Sequence, residues 1–309
     1  MFNLLAKRFI KNGEQRSESD LRLSYISLSS IVGVGINIIL FIIKISLGLF
    51  VGSQAIINDA FNNLSDSLAS LMALFGSNIS KKPADRNHPF GHGRSEYLIS
   101  LLVSIIIMYV GFSLFIKSIG AFGEKSGVDL STLSLAILAF SILFKVYIFF
   151  LNKSLYKKFS SDLNKGVMLD ARNDILATLS IIGGFFLQKY LSFNIDAMIG
   201  LILALFVFKP GVDMFIETSK ILIGKRVDPL IEDEIGKIIM EGRFIRGYHD
   251  LQIHEYGKGK MAGSCHVEVP ANLTVEEVHK AIDDVEEKVF EKTKVELSIH
   301  MDPTYCLVD

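Results

Sequence analysis

The chain has 309 residues, half of them hydrophobic, with 23 Phe and a formal net charge of −1. Its mean hydropathy of +0.40 is high for a soluble protein and directs attention to membrane spans. The near-neutral charge removes any electrostatic case for nucleic acid. Two cysteines, Cys265 and Cys306, are too few for a disulfide framework or a cysteine-rich zinc cluster.

The opening MFNLLAKRFIKNGEQRSESD is broken by charges and lacks an apolar run followed by a small-residue cleavage site, so no cleaved signal peptide is read there. Residues 1–24 are expected to form a cytosolic arm. Six apolar stretches follow, at roughly 25–50, 54–78, 97–120, 130–151, 168–190 and 195–222, each long enough for the ~20 residues a helix needs to cross a bilayer. They define an expected transmembrane region over 25–225. The loops SKKPADRNHPFGHGR and NKSLYKKFSSDLNKG are basic, as are the N-terminal arm and the GKR after the sixth stretch. The alternate loops VGS, GAFGEKSGVDL and QKYLSFN are poor in Lys and Arg. By the positive-inside rule the basic loops and both termini are cytoplasmic.

From about residue 226 charges become frequent, and 226–309 reads as a small cytosolic domain. PLIEDEIGKIIMEG is an amphipathic helix. HDLQIHEYGKGKMAGSCHVEVP alternates on either side of a Gly-Lys turn, as a hairpin does. TVEEVHKAIDDVEEKVF opens with Thr274 and Glu277 at capping-box spacing and carries an apolar face of Val275, Val278, Ile282, Val285 and Val289. VELSIHMD is a last strand. The order αββαβ, with two helices on one face of a three-stranded sheet, predicts an α+β fold.

The stretch INDAFNNLSD in the second span is too polar to be there without a reason. Asn62 and Asp66 are four residues apart, on one face of a helix, with Asp59 one turn earlier. In the fifth span Asp170 and Asp174 repeat the spacing. An Asp at mid-bilayer costs about 2.5–3.5 kcal/mol on insertion scales. If the two spans pack together, four oxygen-bearing side chains meet at one point, and a divalent cation would offset their repulsion. The plain alternative is interhelical hydrogen bonding or a water-filled cleft. Arg172 faces away from the Asp170/Asp174 side. Lys44, Lys117 and Lys145, within or near spans, are read as snorkelling and given no chemistry.

The six spans, the αββαβ tail and the loop PADRNHPFGHGRSE resemble the cation diffusion facilitators, a family of metal/proton antiporters. The resemblance implies a homodimer in the plasma membrane, multi-pass, with a transport site of two residues from the second span and two from the fifth. Aligned through FGHG, these are Asn62, Asp66, Asp170 and Asp174. Zinc-transporting members typically carry Asp and Asp, then His and Asp, so this chain departs twice. Zinc favours nitrogen and sulfur, whereas an all-oxygen site suits Mn²⁺, Mg²⁺ or Ca²⁺. The pattern resembles the manganese-exporting branch. Iron(II) and cobalt remain open because Mn²⁺ binds weakest in the divalent series. Protons that occupy the carboxylates would be displaced by an arriving ion and counter-transported.

The resemblance also implies a loop metal site at Asp85, His88 and His92, and a cytosolic-domain site at His249, His266, His300 and Asp302. His300 and Asp302 share the strand face opposite the core, as do His266 and Glu268. A solvated loop and sheet face are the bland alternatives. His254 could join, His279 sits on the solvent side of its helix, and Cys265 has core parity. Arg94 and Glu96 are assigned to loop–helix packing.

The leading expectation is therefore a bacterial manganese exporter, not an enzyme and not nucleotide-driven, since no P-loop, Ser/His/Asp grouping or H-E-x-x-H sequence is present. The first alternative keeps the fold and moves Zn²⁺, Fe²⁺, Co²⁺ or Cd²⁺. A second, from another class, is a membrane metal sensor or scaffold that does not transport.

Overall fold

The computed structural model describes residues 18–80, 82–123, 131–159, 161–188, 190–191, 193–257 and 260–304. Most of the expected N-terminal arm, the Gly-Lys turn of the hairpin and Cys306 lie outside them. Six long helices come first: α1 (Glu18–Val51), α2 (Gln54–Ser80), α3 (Ser95–Ala121), α4 (Thr132–Phe159), α5 (Asp162–Gln188) and α6 (Ile195–Ile223). Of these, α1, α3, α4 and α6 are apolar enough to cross a membrane by composition as well as length. Helices α2 and α5 are equally long but carry the polar residues that lower their hydropathy.

Two compact units result. One comprises Met1–Ala73 and Leu102–Met214, the other Leu74–Leu101 and Phe215–Asp309. In the first unit large apolar side chains such as Ile39, Leu102, Tyr109, Phe140 and Leu143 point outward. That surface suits lipid and would be untenable in water.

Polar side chains organise the interior of this helical unit. Gly52, at φ +72°, turns the chain between α1 and α2. Ser53 then caps α2 by accepting from the Ile56 amide at 3.1 Å. The Asp196 carboxylate, from the first turn of α6, accepts from the Gln54 amide at 2.7 Å and from the Ser53 hydroxyl at 2.5 Å. An anion at the positive end of α2 satisfies amides that have no partner within the helix. One turn on, Asn58 donates to Ser118 of α3 at 3.0 Å and to the Gly200 carbonyl of α6 at 2.7 Å. A side chain at Gly200 would meet Asn58 and the Ala55 backbone at 3.4 Å, so the two helices approach closely there.

The fourth and fifth helices run further than their apolar stretches. Most of NKSLYKKFSSDLNKG, read as a loop, is helical, and α4 ends only at Phe159. Hydropathy marks what a membrane can cover, not where a helix stops. The extra turns are held by Asn164, which donates to Asn152 of α4 at 2.7 Å and to Ser29 of α1 at 3.1 Å.

Two of the three lysines read as snorkelling do nothing of the kind. Lys44 and Lys145 are buried among the helices. Lys44 donates to Asp59 at 2.7 Å and to Thr178 at 3.2 Å, and Thr178 donates to Asp59 at 3.1 Å. The reason is position: each lysine lies within its helix facing an Asp, and a charge that can pair gains more there than by reaching for a distant interface. Lys117, by contrast, is exposed.

The second unit carries α7 (Pro229–Met240), β1 (Gly247–Gly257), β2 (Lys260–Pro270), α8 (Val275–Thr293) and β3 (Val295–Thr304). The sheet order is β1-β2-β3, with β1 antiparallel and β3 parallel to β2. Asp228 caps α7 ahead of Pro229, and the Thr274/Glu277 capping box opens α8. Ile235, Ile239, Val267, Val285, Val289 and Val295 form one core with Cys265. Burial pushes the Cys265 thiol up to about 11. The expected face of α8 holds except at Val275, which is 72% exposed in the first turn, while Ala281 is buried.

Removing one partner of a fully buried ion pair leaves a naked charge and costs about 3–5 kcal/mol. Lys44→Met is therefore expected to lower the thermal unfolding temperature of the detergent-solubilised protein sharply. Lys44→Met combined with Asp59→Leu should recover most of the loss. A single variant as stable as the parent would mean the pair is not buried.

Candidate functional site

Helices α2 and α5 bring the four expected residues to one place. Asn62 donates to Asp174 Oδ1 at 2.7 Å. Asn62, Asp66, Asp170 and Asp174 together line a cavity of about 370 Å³, along with apolar residues of α5 and α6 including Leu203, Phe206 and Pro210. Pro210 has no amide to offer the Phe206 carbonyl, so α6 has a missing hydrogen bond beside the cavity. Asp174 is buried, Asp66 partly so and Asp170 more exposed. Asn173 also lines the cavity. Arg172 is exposed and reaches Asn173 at 3.5 Å.

Asp59 is not part of the lining. Its pairing with Lys44 and Thr178 makes a second polar layer one helical turn away, tying α1, α2 and α5 together. Its place outside the lining, with Oδ2 taken by Lys44 and Thr178, separates it from the four residues that meet at the cavity.

The residue that sequence reasoning missed is Lys145, from α4. Its ammonium forms a short ion pair with Asp174 Oδ2, donates to Asn37 Oδ1 at 2.7 Å, and lies 4.0 Å from Asp66 Oδ2. Hydropathy averaging hid it in an apolar window. The available signal was its place well inside a span, where an ionisable residue is a functional candidate by default. That rule applies to lysine as it does to aspartate.

In the second unit, Asp85, His88 and His92 each offer a ligand atom within 4.8 Å of the others. Asp85 accepts from the amides of Asn87 at 2.9 Å and His88 at 2.7 Å, which folds the loop and lowers its carboxyl below the usual range, the His88 amide foremost. The loop is fixed to the sheet edge. Arg94 donates to the Glu255 carbonyl at 3.1 and 3.0 Å and stacks on Tyr256, Phe90 stacks on the same ring at 4.2 Å, and Tyr97 donates to Glu255 Oε1 at 2.8 Å. A side chain at Gly93 would come within 2.4 Å of the Tyr256 carbonyl, so only glycine allows this approach. Arg94 thus serves loop–strand packing, not the expected loop–helix packing.

The sheet register explains the other cluster. His249 pairs with His266, and His266 with His300, so three imidazoles stand side by side across β1, β2 and β3. Asp302 lies under them, its Oδ2 3.2 Å from His249 and 3.0 Å from His266, its Oδ1 3.6 Å from His300. The hydrogen bond from His266 comes first in holding Asp302 below the usual carboxylate range. His254 pairs with Ala262, past a β-bulge, and stands apart. His279 faces solvent beside Asp283.

Comparison with known proteins bears directly on the helical unit. Residues 30–223 match the cation efflux transmembrane domain, and residues 227–304 match the cytoplasmic domain of cation efflux proteins. The chain belongs to the cation efflux, or cation diffusion facilitator, family. It is 30% identical to an uncharacterized transporter of Methanocaldococcus jannaschii over 91% of this chain and 95% of the other. It is 26% identical to the manganese efflux system protein MneP of Bacillus subtilis, over 87% and 93% of the two chains. It is 24% identical to the cation-efflux pump FieF of Shewanella oneidensis, over 90% and 94%. The family consists of multi-pass membrane transporters of metal cations, and its membership supports a bilayer location and a domain associated with dimerisation.

Arg94 pins the loop through two hydrogen bonds to one carbonyl. Arg94→Ala is expected to speed chymotryptic cleavage after Phe90 several-fold in the folded protein. An unchanged rate would show that stacking on Tyr256 suffices to hold the loop.

Proposed function

We propose that the protein exports Mn²⁺ from the cytosol in exchange for protons, with Asn62, Asp66, Asp170 and Asp174 as the ion's ligands. The observation that carries this reading is the convergence of one amide and three carboxylates from α2 and α5 on a single intramembrane cavity. The donor set is all oxygen, which suits a hard ion and offers zinc none of the nitrogen or sulfur it prefers. Similarity to a relative named for manganese efflux supports the same ion.

The charge count supports a divalent cargo. Three carboxylates and the Lys145 ammonium sum formally to −2. Carboxylates so close together can carry protons when no metal ion neutralises them, which gives the counter-ion a place to bind without a separate site. Export then alternates the cavity between cytosol and exterior, both termini being cytoplasmic.

The chain acts as a homodimer through residues 226–309. His249, His266, His300 and Asp302, with Asp85, His88 and His92 in the loop, hold further metal ions on the cytosolic side. His249, His266 and Asp302 offer ligand atoms within 4.8 Å of one another, a donor set suited to a borderline ion such as zinc. Residues 1–24 and 25–225 serve as arm and transport domain.

The test is ion movement in proteoliposomes under an imposed proton gradient. The parent is expected to move Mn²⁺ at least tenfold faster than Zn²⁺, Asp174→Ala to move neither, and Asp170→His to gain Zn²⁺. Faster Zn²⁺ transport by the parent would overturn the manganese assignment. Binding with no transport of any divalent ion would favour a sensor.

A further inference from the structure

Lys145 contacts two of the four residues just assigned to the ion. Its side chain is 3% exposed, as is that of Asp174. The ammonium joins Asp174 Oδ2 and stands 4.0 Å from Asp66 Oδ2, so one positive charge already bridges a carboxylate of α2 and a carboxylate of α5. A divalent ion held by those residues needs the same oxygen lone pairs, at roughly 2.0–2.6 Å for hard cations. Two cations cannot share them: at such spacing their repulsion is of the same order as either attraction. We propose that Lys145 is a tethered competitor for the transported ion, its ammonium and the ion alternating on Asp66 and Asp174.

Two further features fit this role. The ammonium has a second acceptor, Asn37 Oδ1 on α1 at 2.7 Å, which belongs to neither α2 nor α5. Asn37 is thus a positioning residue that holds the ammonium when the carboxylates are given up. A lysine is also the right type for such movement, with a compact charge on a flexible four-carbon stem, where arginine would engage a carboxylate with a planar fork. The consequence is twofold. Competition keeps the ion from binding too tightly to leave. After the ion leaves, the returning ammonium spares Asp174 the penalty of an unpaired charge in the bundle.

This inference rests on the ion site proposed above, and the experiment separates the two. Mn²⁺ affinity is measured on the full-length protein in detergent, and Mn²⁺ flux at saturating ion in proteoliposomes, for the parent, Lys145→Met, Lys145→Gln, Lys145→Arg and Asp174→Ala. Lys145→Met is expected to bind Mn²⁺ at least tenfold more tightly and to move it at least fivefold more slowly. Lys145→Arg, which keeps the charge, is expected to stay within threefold of the parent affinity. Lys145→Gln keeps a donor for Asp174 without the charge and carries the test if the Met variant does not fold; it too should bind more tightly. A purely structural lysine would change thermal stability alike with and without Mn²⁺ and leave affinity unmoved. Parent-like or weaker binding by the neutral variants, while Asp174→Ala has lost Mn²⁺ binding, would overturn the competitor role and leave the ion site standing. Parent-like binding by Asp174→Ala would remove the ion site and this inference with it.

Discussion

The helical unit depends on keeping ionised side chains inside an apolar bundle. Two lysines and two aspartates do this in pairs: Lys44 with Asp59, and Lys145 with Asp174. Neither pair comes from a single helix, so neither forms until the helices pack. Each draws α2 or α5 against α1 or α4. Within lipid no hydrophobic force distinguishes one helix–helix contact from another, and specific polar contacts take that part. A buried ion pair is weak evidence for added stability, but its breakage is severe. The two layers therefore constrain which helices can be neighbours more than they strengthen the bundle.

The layers have different chemistry although they stand one turn apart. The outer set, Lys44, Asp59 and Thr178, lies away from the cavity, its lysine and hydroxyl both donating to Asp59 Oδ2. The inner set opens onto the cavity and has more acids than bases. An excess of carboxylates beside space is what an exchangeable cation requires. The same residue types give a structural tie in one layer and a candidate transport site in the next. The difference lies in charge balance and access.

In the second unit, geometry comes from register. Alternation along β2 sends Cys265, Val267 and Val269 to the core and His266 and Glu268 to the other face. Because β3 runs parallel to β2, His300 falls beside His266, and the antiparallel β1 places His249 on the other flank. A one-residue slip in either pairing would scatter the three imidazoles. The loop at Asp85, His88 and His92 is held to the end of β1 by Arg94, Phe90 and Tyr97, with Gly93 giving the backbone room.

Much of this was legible in the sequence. Hydropathy marked the long helices, period-two and helical patterns marked the αββαβ tail, and the four-residue spacing of Asn62/Asp66 and Asp170/Asp174 put each pair on one face, because those signals are local and periodic. Helix ends were less legible: α4 and α5 outrun their apolar windows where Asn164 donates to Asn152 across the hairpin, a fact of packing. Val275 matched the helical period yet lies in a first turn that projects past the core. The lysines were the largest gap. Sequence alone determines that Lys44 and Lys145 sit in spans; it does not say what each faces, since their partners are 15 and 29 residues away on other helices. Only the tertiary structure could pair them, because a buried charge is assigned by the neighbour that compensates it, and neighbours across a bundle are set by three-dimensional packing rather than by spacing along the chain.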